Sequence, residues 1–265
     1  MTYHEYALHP TLKPFVKVIY SFEGGPDAGN VAPWRILPDT CVEIVFHVET
    51  PYLTTFADGK KALQPHSFVM AQMRQFVEIE AAGKVGFIAV RLTAAGAHHF
   101  FPIPIGGFSG GQIHLPEIWG DLAFALEDTM HSNLSMAQKV EIVQQSLLLQ
   151  LNCNGEYDPL VYHCLETIYA KSGLITVGSL SEKTGISTRQ LLRRFDRRVG
   201  ASPKEFCRIV KFLAACRLLR SSQNDPLTSV AYTSGYADQA HFIHDFREYS
   251  GLTPSELLRA DNVFF

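Results

Sequence analysis

The sequence predicts an α+β chain of two domains: a β-rich N-terminal domain with trailing helices, and an all-α C-terminal domain holding two helix-turn-helix units. Three observations carry this. First, Phe195, Gly200, Ser202, Pro203, Glu205 and Phe206 return as Phe246, Gly251, Thr253, Pro254, Glu256 and Leu257, always 51 residues later. A pattern repeated at one offset is one structural unit used twice. Second, Val42, Ile44, Phe46 and Val48 alternate with polar or smaller residues, the period of a strand with one buried face. Third, the period turns helical after Pro116.

The 265 residues suffice for two ordinary domains, and 46% hydrophobic against 18% charged content gives both halves a core. The net charge of −3 conceals an asymmetry. Residues 1–170 carry 9 Lys and Arg against 17 Asp and Glu, whereas 171–260 carry 14 against 8. A basic C-terminal module suits a phosphate backbone, although charge asymmetry between domains is common on its own. The five cysteines, Cys41, Cys153, Cys164, Cys207 and Cys216, are odd in number and form no C-x-x-C. That speaks against a disulfide framework or a structural zinc. Cys207 and Cys216 lie among apolar helix residues and read as core. The N-terminus shows no basic-then-apolar leader, and no apolar run approaches the ~18 residues of a membrane span. The expectation is a soluble cytoplasmic protein.

In chain order, residues 42–49, 67–71, 76–79 and 85–92 read as strands, with turns at 24–26, 58–59 and 82–83. Several short strands at this spacing predict a small barrel or sandwich. Ile118, Leu122, Ala125 and Leu126 then share one helical face, and Met136, Val140, Val143, Leu147 and Leu151 form a second stripe. The polar stretch 152–159 is the predicted linker between an N-terminal domain over 1–151 and a C-terminal domain over 160–265.

The first helix-turn-helix spans about 176–199. Thr176 caps its first helix and Gly185 supplies the left-handed residue that ends it. Ser187 and Gln190 form a capping box opening the second helix, with Leu191 and Phe195 inward. Arg189, Arg193 and Arg197 share an outer face, with Arg194 and Arg198 beside them. Ser202-Pro203-Lys204-Glu205 predicts another capping box, opening a long helix to about 220. The second unit spans about 227–249, with Gly235 at the turn, Asp238 as cap and Phe242 and Phe246 inward. Thr253 and Glu256 cap a last short helix. An all-α protein-interaction bundle would satisfy the caps and stripes alone. The tandem repeat, the arginine face and the positive charge together favour DNA.

The motifs Gly-Ile-Ser-x-Arg-Gln-Leu-x-Arg-x-Phe at 185–195, Gly-x-Ser-Pro-Lys at 200–204, Gly-Tyr-Ala-Asp-Gln-Ala-His-Phe at 235–242 and the run 246–255 resemble the DNA-binding domain of AraC/XylS-type transcriptional regulators. The resemblance implies seven homeodomain-like helices, with two recognition helices joined by a rod so that both enter adjacent major grooves of double-stranded DNA. Carried over by position, Arg189, Leu192, Arg193, Gln239, Ala240, His241 and His244 would read bases. Arg194, Arg197, Arg198 and Lys204 would touch phosphates. His244 stands where the family commonly has Arg, and Leu192 where it is often polar. Both departures bear on sequence preference.

Arg35-Ile36-Leu37-Pro38-Asp39-Thr40-Cys41-Val42-Glu43 and the run 86–92 resemble the sensor region of one AraC-type subgroup, which implies a cupin-like β-rich barrel that senses a ligand or dimerises. Arg35, Asp39, Glu43 and His47 form the best constellation for an effector there. Glu43 and His47 lie opposite Val42, Ile44 and Phe46, and the simpler reading makes theirs the solvated or purely structural side of a strand. His98-His99 is a weak metal pair. No nucleophile elbow, phosphate loop or dinucleotide fingerprint is present, and no metal or cofactor is expected. The resemblance implies a regulator, an activator rather than a repressor, with DNA, RNA polymerase, a small-molecule effector and a second copy of the chain as partners. The alternatives are a cupin-like metal enzyme fused to a DNA-binding domain, and a regulator whose N-terminal domain only dimerises.

Overall fold

The computed structural model describes residues 2–24, 33–108, 111–151, 157–221 and 225–264. Residues 25 and 26 of the predicted first turn, Cys153 and residues 152–156 of the predicted linker lie outside these.

The N-terminal half holds β1 (Thr2–Tyr6), β2 (Val16–Glu23), β3 (Trp34–Ile36), β4 (Val42–His47), β5 (Tyr52–Phe56), β6 (Lys61–Leu63), β7 (Ser67–Met70), β8 (Val77–Ala81), β9 (Gly86–Leu92) and β10 (Gln112–His114). They form two sheets rather than one closed barrel. The larger has the order β1-β2-β9-β4-β7-β10. The smaller has the order β11-β3-β8-β5-β6, where β11 (Val263–Phe264) comes from the far end of the chain and runs parallel to β3.

Three helices cover the larger sheet: α1 (Pro116–Trp119), α2 (Asp121–Met130) and α3 (Met136–Leu151). The single helix expected after Pro116 is broken at Gly120, whose φ of +56° favours glycine. The break turns Ala123, Leu126 and Met130 inward and leaves Ala125 exposed. Val140, Val143 and Leu147 of α3 point inward as expected. Ile44 and Phe46 join this layer with Phe100, Phe101 and Ile105. His98 and His99 lie buried in a one-turn 3₁₀ helix, not in a strand, with ring centroids 3.9 Å apart.

Among the described residues, seven helices make the C-terminal half: α4 (Pro159–Ala170), α5 (Val177–Thr184), α6 (Thr188–Val199), α7 (Pro203–Ser221), α8 (Leu227–Thr233), α9 (Gln239–Ser250) and α10 (Pro254–Arg259). The caps stand where the sequence puts them. Thr176, Ser187, Asp238 and Thr253 each accept a backbone N–H, and Gly185 takes φ +68° to end α5. Ser202 accepts from Glu205 N at 3.2 Å, but the Glu205 carboxylate turns outward to Arg74 Nε, 2.9 Å away in the N-terminal half. The reciprocal half of that capping box is thereby given to an interdomain ion pair. Leu180, Leu191, Phe195 and Phe206 build the core of the first unit. Phe212, Phe242, Phe246 and Tyr249 build that of the second.

The halves are packed together at both units. Leu37, after β3, is buried in the core of the second unit. Arg35 donates to Ser250 O at 2.9 Å, pairs with Glu78 at 2.6 Å and lies over the Phe76 ring. Gly251, at φ +69°, packs on that same ring, where any side chain would collide. At the first unit, Ala94 joins the core, and Gly106 approaches Asp196 of α6 so closely that a Cβ would clash. Cys41, Cys164, Cys207 and Cys216 are buried free thiols.

Candidate nucleic-acid interface and sensor cavity

The outer face of α6 follows from its sequence. Leu191, Phe195 and Val199 face inward at helical spacing, which leaves Arg189, Leu192, Arg193 and Arg197 exposed. In α9, Phe242, Asp245, Phe246 and Tyr249 face inward, leaving Gln239, Ala240, His241 and His244 exposed. Gln239 accepts from the Thr228 hydroxyl at 3.1 Å, which orients its amide. Every residue expected to read bases thus lies on the open side of one of two second helices.

The expected phosphate contacts divide. Arg193, Arg194, Arg197 and Arg198 wall a cleft of about 210 Å³ with Asp158. Asp158 is nearly buried; it caps α4 through Val161 N and holds Arg194 Nη1 at 2.7 Å. Arg194 is therefore tied to a structural carboxylate, whereas Arg197 lies exposed. Lys204 lines a wider groove of about 690 Å³ between the two units, with Lys171, Lys183, Arg208 and Lys211. The sequence reading missed these four because they are scattered over forty residues and only folding gathers them. Arg208 is partly neutralised there by Asp245 at 2.9 Å and Glu248 at 2.6 Å. His244, Asp245 and Glu248 could geometrically surround a metal, but both carboxylates already hold that guanidinium.

In the N-terminal half, a cavity of about 320 Å³ lies between the two sheets. Asp39, Glu43 and Arg91 form its polar end. Arg91 is the cross-strand neighbour of Glu43; it contacts the Asp39 carboxylate directly and brings Nε to 3.9 Å from Glu43. The Tyr20 hydroxyl donates to Glu43 at 3.0 Å across Ala89, whose single methyl leaves room between them. Phe22, Trp34, Phe68, Phe87 and Ile79 make the apolar wall, and Phe264 of β11 completes it. The sequence reading found Asp39 and Glu43 and missed Arg91, although Phe87, Ala89 and Arg91 alternate on one strand face.

Two expectations need correction. The Glu43 face of β4 is not solvated: the second sheet covers it, and Val42, Ile44 and Phe46 face the helices, so both sides of the strand are inside. Arg35 and His47 do not join the cavity. Arg35 points away toward α9, and His47, 1% exposed, pairs with Gln64 at 2.8 Å. Burial lifts the Glu43 carboxyl to about 7 despite the Tyr20 hydrogen bond, and burial lowers His47 to about 4. The signs oppose. A carboxyl whose folded value is raised stabilises fully below its unfolded range and loses that contribution as pH rises through 7. A histidine whose folded value is depressed stabilises above its unfolded value of 6.5 and loses that as pH falls through 4. Glu43→Gln should therefore gain in melting temperature over the unaltered chain as pH rises from 4.5 to 7. A difference that stays flat across that window would refute the buried, perturbed carboxyl.

Residues 180–260 match the family model of a helix-turn-helix domain, and residues 4–114 match a domain of unknown function (DUF6597). Among curated relatives, the HTH-type transcriptional activator RhaS of Escherichia fergusonii is 28% identical over 134 residues, 47% of each chain. An uncharacterized HTH-type transcriptional regulator of Haemophilus influenzae is 34% identical over 80 residues, 30% of this chain and 26% of that one. The match thus spans about half or less of those relatives. Among solved structures, ToxT from Vibrio cholerae aligns over 98% of both chains with 8% identity and a TM-score of 0.49. A transcriptional regulator with an AraC-type DNA-binding domain from Chromobacterium violaceum aligns over 38% of this chain and 90% of its own, with 20% identity and a TM-score of 0.36. Among the described residues, no helix is long and apolar enough to cross a membrane.

Proposed function

The helix-turn-helix domain over 180–260 belongs to the AraC type, and from that premise we propose that the chain is a sequence-specific DNA-binding transcription regulator. The observation that carries this is the paired outer face: Arg189, Arg193 and Arg197 on α6, and Gln239, His241 and His244 on α9, exposed opposite the buried Leu191, Phe195 and Val199 of α6 and Phe242, Phe246 and Tyr249 of α9. An Arg suits a guanine edge and a Gln an adenine edge. Leu192, 41% exposed, suits a thymine methyl. Lys204, Arg197 and Arg198, joined by Lys171 and Lys183, hold the backbone between the two grooves. We assign residues 1–151 to the sensor domain, 152–159 to a linker and 160–265 to the DNA-binding domain. The sensor domain takes a small effector in the cavity at Asp39 and Glu43 or contacts a second copy. The regulator acts in the cytoplasm as an activator with RNA polymerase rather than as an enzyme. Support for the non-enzymatic reading comes from His47 and Glu43, which pair separately with Gln64 and Tyr20 instead of converging as metal ligands.

Coupling has a physical route. Arg35, Leu37 and the β3–β11 pairing join the sheet that walls the cavity to the second helix-turn-helix unit. An effector shifts DNA affinity only by its differential binding to two arrangements of that interface.

The test is selection of sites from a random duplex pool with the full chain at fixed salt. Recovery of two boxes about one helical turn apart, ~34 Å, is the expected result. Enrichment of no sequence, with or without cell extract as a source of effector, would overturn the reading. On the selected site, Lys183→Ala should reduce the slope of log affinity against log salt by about one. An unchanged slope would remove the groove between the units from the backbone path.

A further inference from the structure

The regulator reading leaves the effector's chemistry open. Resting on that reading, we infer that the cavity between the two sheets is built for an aromatic or alicyclic ligand bearing one protonated amine, seated with the amine at Glu43.

The charge around the polar end argues for this. Among the described residues of the lining, Asp39 on the β3–β4 connection and Glu43 on β4 supply two carboxylates, and Arg91 on β9 the one guanidinium. That guanidinium is taken by Asp39 and stands 3.9 Å from Glu43. On β1, Glu5 accepts from the Tyr3 hydroxyl at the rim. On β2, Lys17 is exposed and lies 4.0 Å from Cys41 Sγ, outside the lining. A carboxylate ligand would find its natural partner occupied and would face Asp39 and Glu43 as like charges. An ammonium would meet Glu43 as a partner and restore neutrality, as a desolvated ion pair requires.

The walls agree. Tyr3, Tyr20, Phe22, Trp34 and Phe87 line the cavity, and aromatic rings attract an organic cation and its apolar body together. A volume of about 320 Å³ lies at the small end of ligand pockets and fits one or two fused rings. A second observation marks the space as a binding site rather than a packing defect. Tyr52, in the lining and 2% exposed, has a hydroxyl with no hydrogen-bond partner among the described residues. A buried orphan hydroxyl is costly, and a polar atom on a ligand would relieve it.

The test uses three probes of one shape on the full chain: 2-naphthylmethylamine, 2-naphthalenemethanol and 2-naphthoate, each titrated at pH 7.5 by isothermal calorimetry. The amine is expected to bind about tenfold or more tighter than the carboxylate, with the alcohol between. Glu43→Gln should abolish the amine's advantage over the alcohol. Equal or tighter binding of 2-naphthoate would overturn the inference, as would an amine advantage untouched by Glu43→Gln. The ranking on the unaltered chain stands whether or not the variant folds. Binding of none of the probes, with site selection on DNA intact, would discard the amine assignment while leaving the regulator reading in place.

Discussion

Arg193→Ala is expected to weaken binding to the selected DNA site by roughly 5- to 150-fold, equivalent to about 1–3 kcal/mol. The side chain sits on the exposed face of α6, one turn after Arg189, and makes no ion pair within the chain among the described residues. It is thus available to a guanine edge, and its bidentate fork is what distinguishes a base from a phosphate. Binding to unrelated duplex should fall much less. Arg194→Ala is the internal control. Its guanidinium holds the nearly buried Asp158 at 2.7 Å, and Asp158 caps α4. Removing it strands a carboxylate and lowers stability, with a uniform loss on all sequences and no change in preference. Gel-shift titrations on the selected site and on a scrambled one read both. An equal loss on both duplexes for Arg193→Ala would demote it to a backbone contact.

The contrast between these neighbours shows where sequence reasoning reaches. The C-terminal units were legible because their signals are local. Thr176, Ser187, Asp238 and Thr253 cap helices within three residues, and Gly185 and Gly251 end them. Which arginines of α6 are left unpaired depended on Asp158, thirty-six residues before Arg194, and no spacing rule marks that pair. The N-terminal half was half legible. Strands β4, β7, β8 and β9 were found, whereas β1, β2 and β5 were missed, as were β3, β6, β10 and β11, which at three residues or fewer are too short to show a period. The Glu43 face was misjudged because alternation reports only that two faces differ. It cannot say that helices cover one face of β4 and a second sheet the other. Arg35 was placed in an effector site for its position in a resembling motif. Its actual partner, Ser250 O, is contributed by the opposite end of the chain.

Phe246→Ala is expected to cost about 3–5 kcal/mol of stability, the usual toll of removing a fully buried aromatic ring. Phe246 is 0% exposed, with ring centroids 4.6 Å from Phe242 and 5.1 Å from Phe212. The cavity would open where α7 and α9 meet, so the loss falls first on the second unit. It should not stop there. Leu37 and Val263 belong to the same buried cluster, and they carry β3 and β11 at the edge of the smaller sheet. Trp34 stands in β3 with its ring 6.1 Å from that of Phe264. Trp34 and Trp119 both lie in the N-terminal half, so tryptophan emission reports on that half, while helical circular dichroism, with most helical residues in α4–α10, reports mainly on the C-terminal half. If the two halves share this core energetically, urea transitions by both probes coincide in the unaltered chain and move together in Phe246→Ala. A tryptophan transition that stays in place while the helical signal falls would show that the interface transmits little. Any coupling between the cavity and the C-terminal half would then have to run through the contact between Gly106 and α6 at the first unit instead.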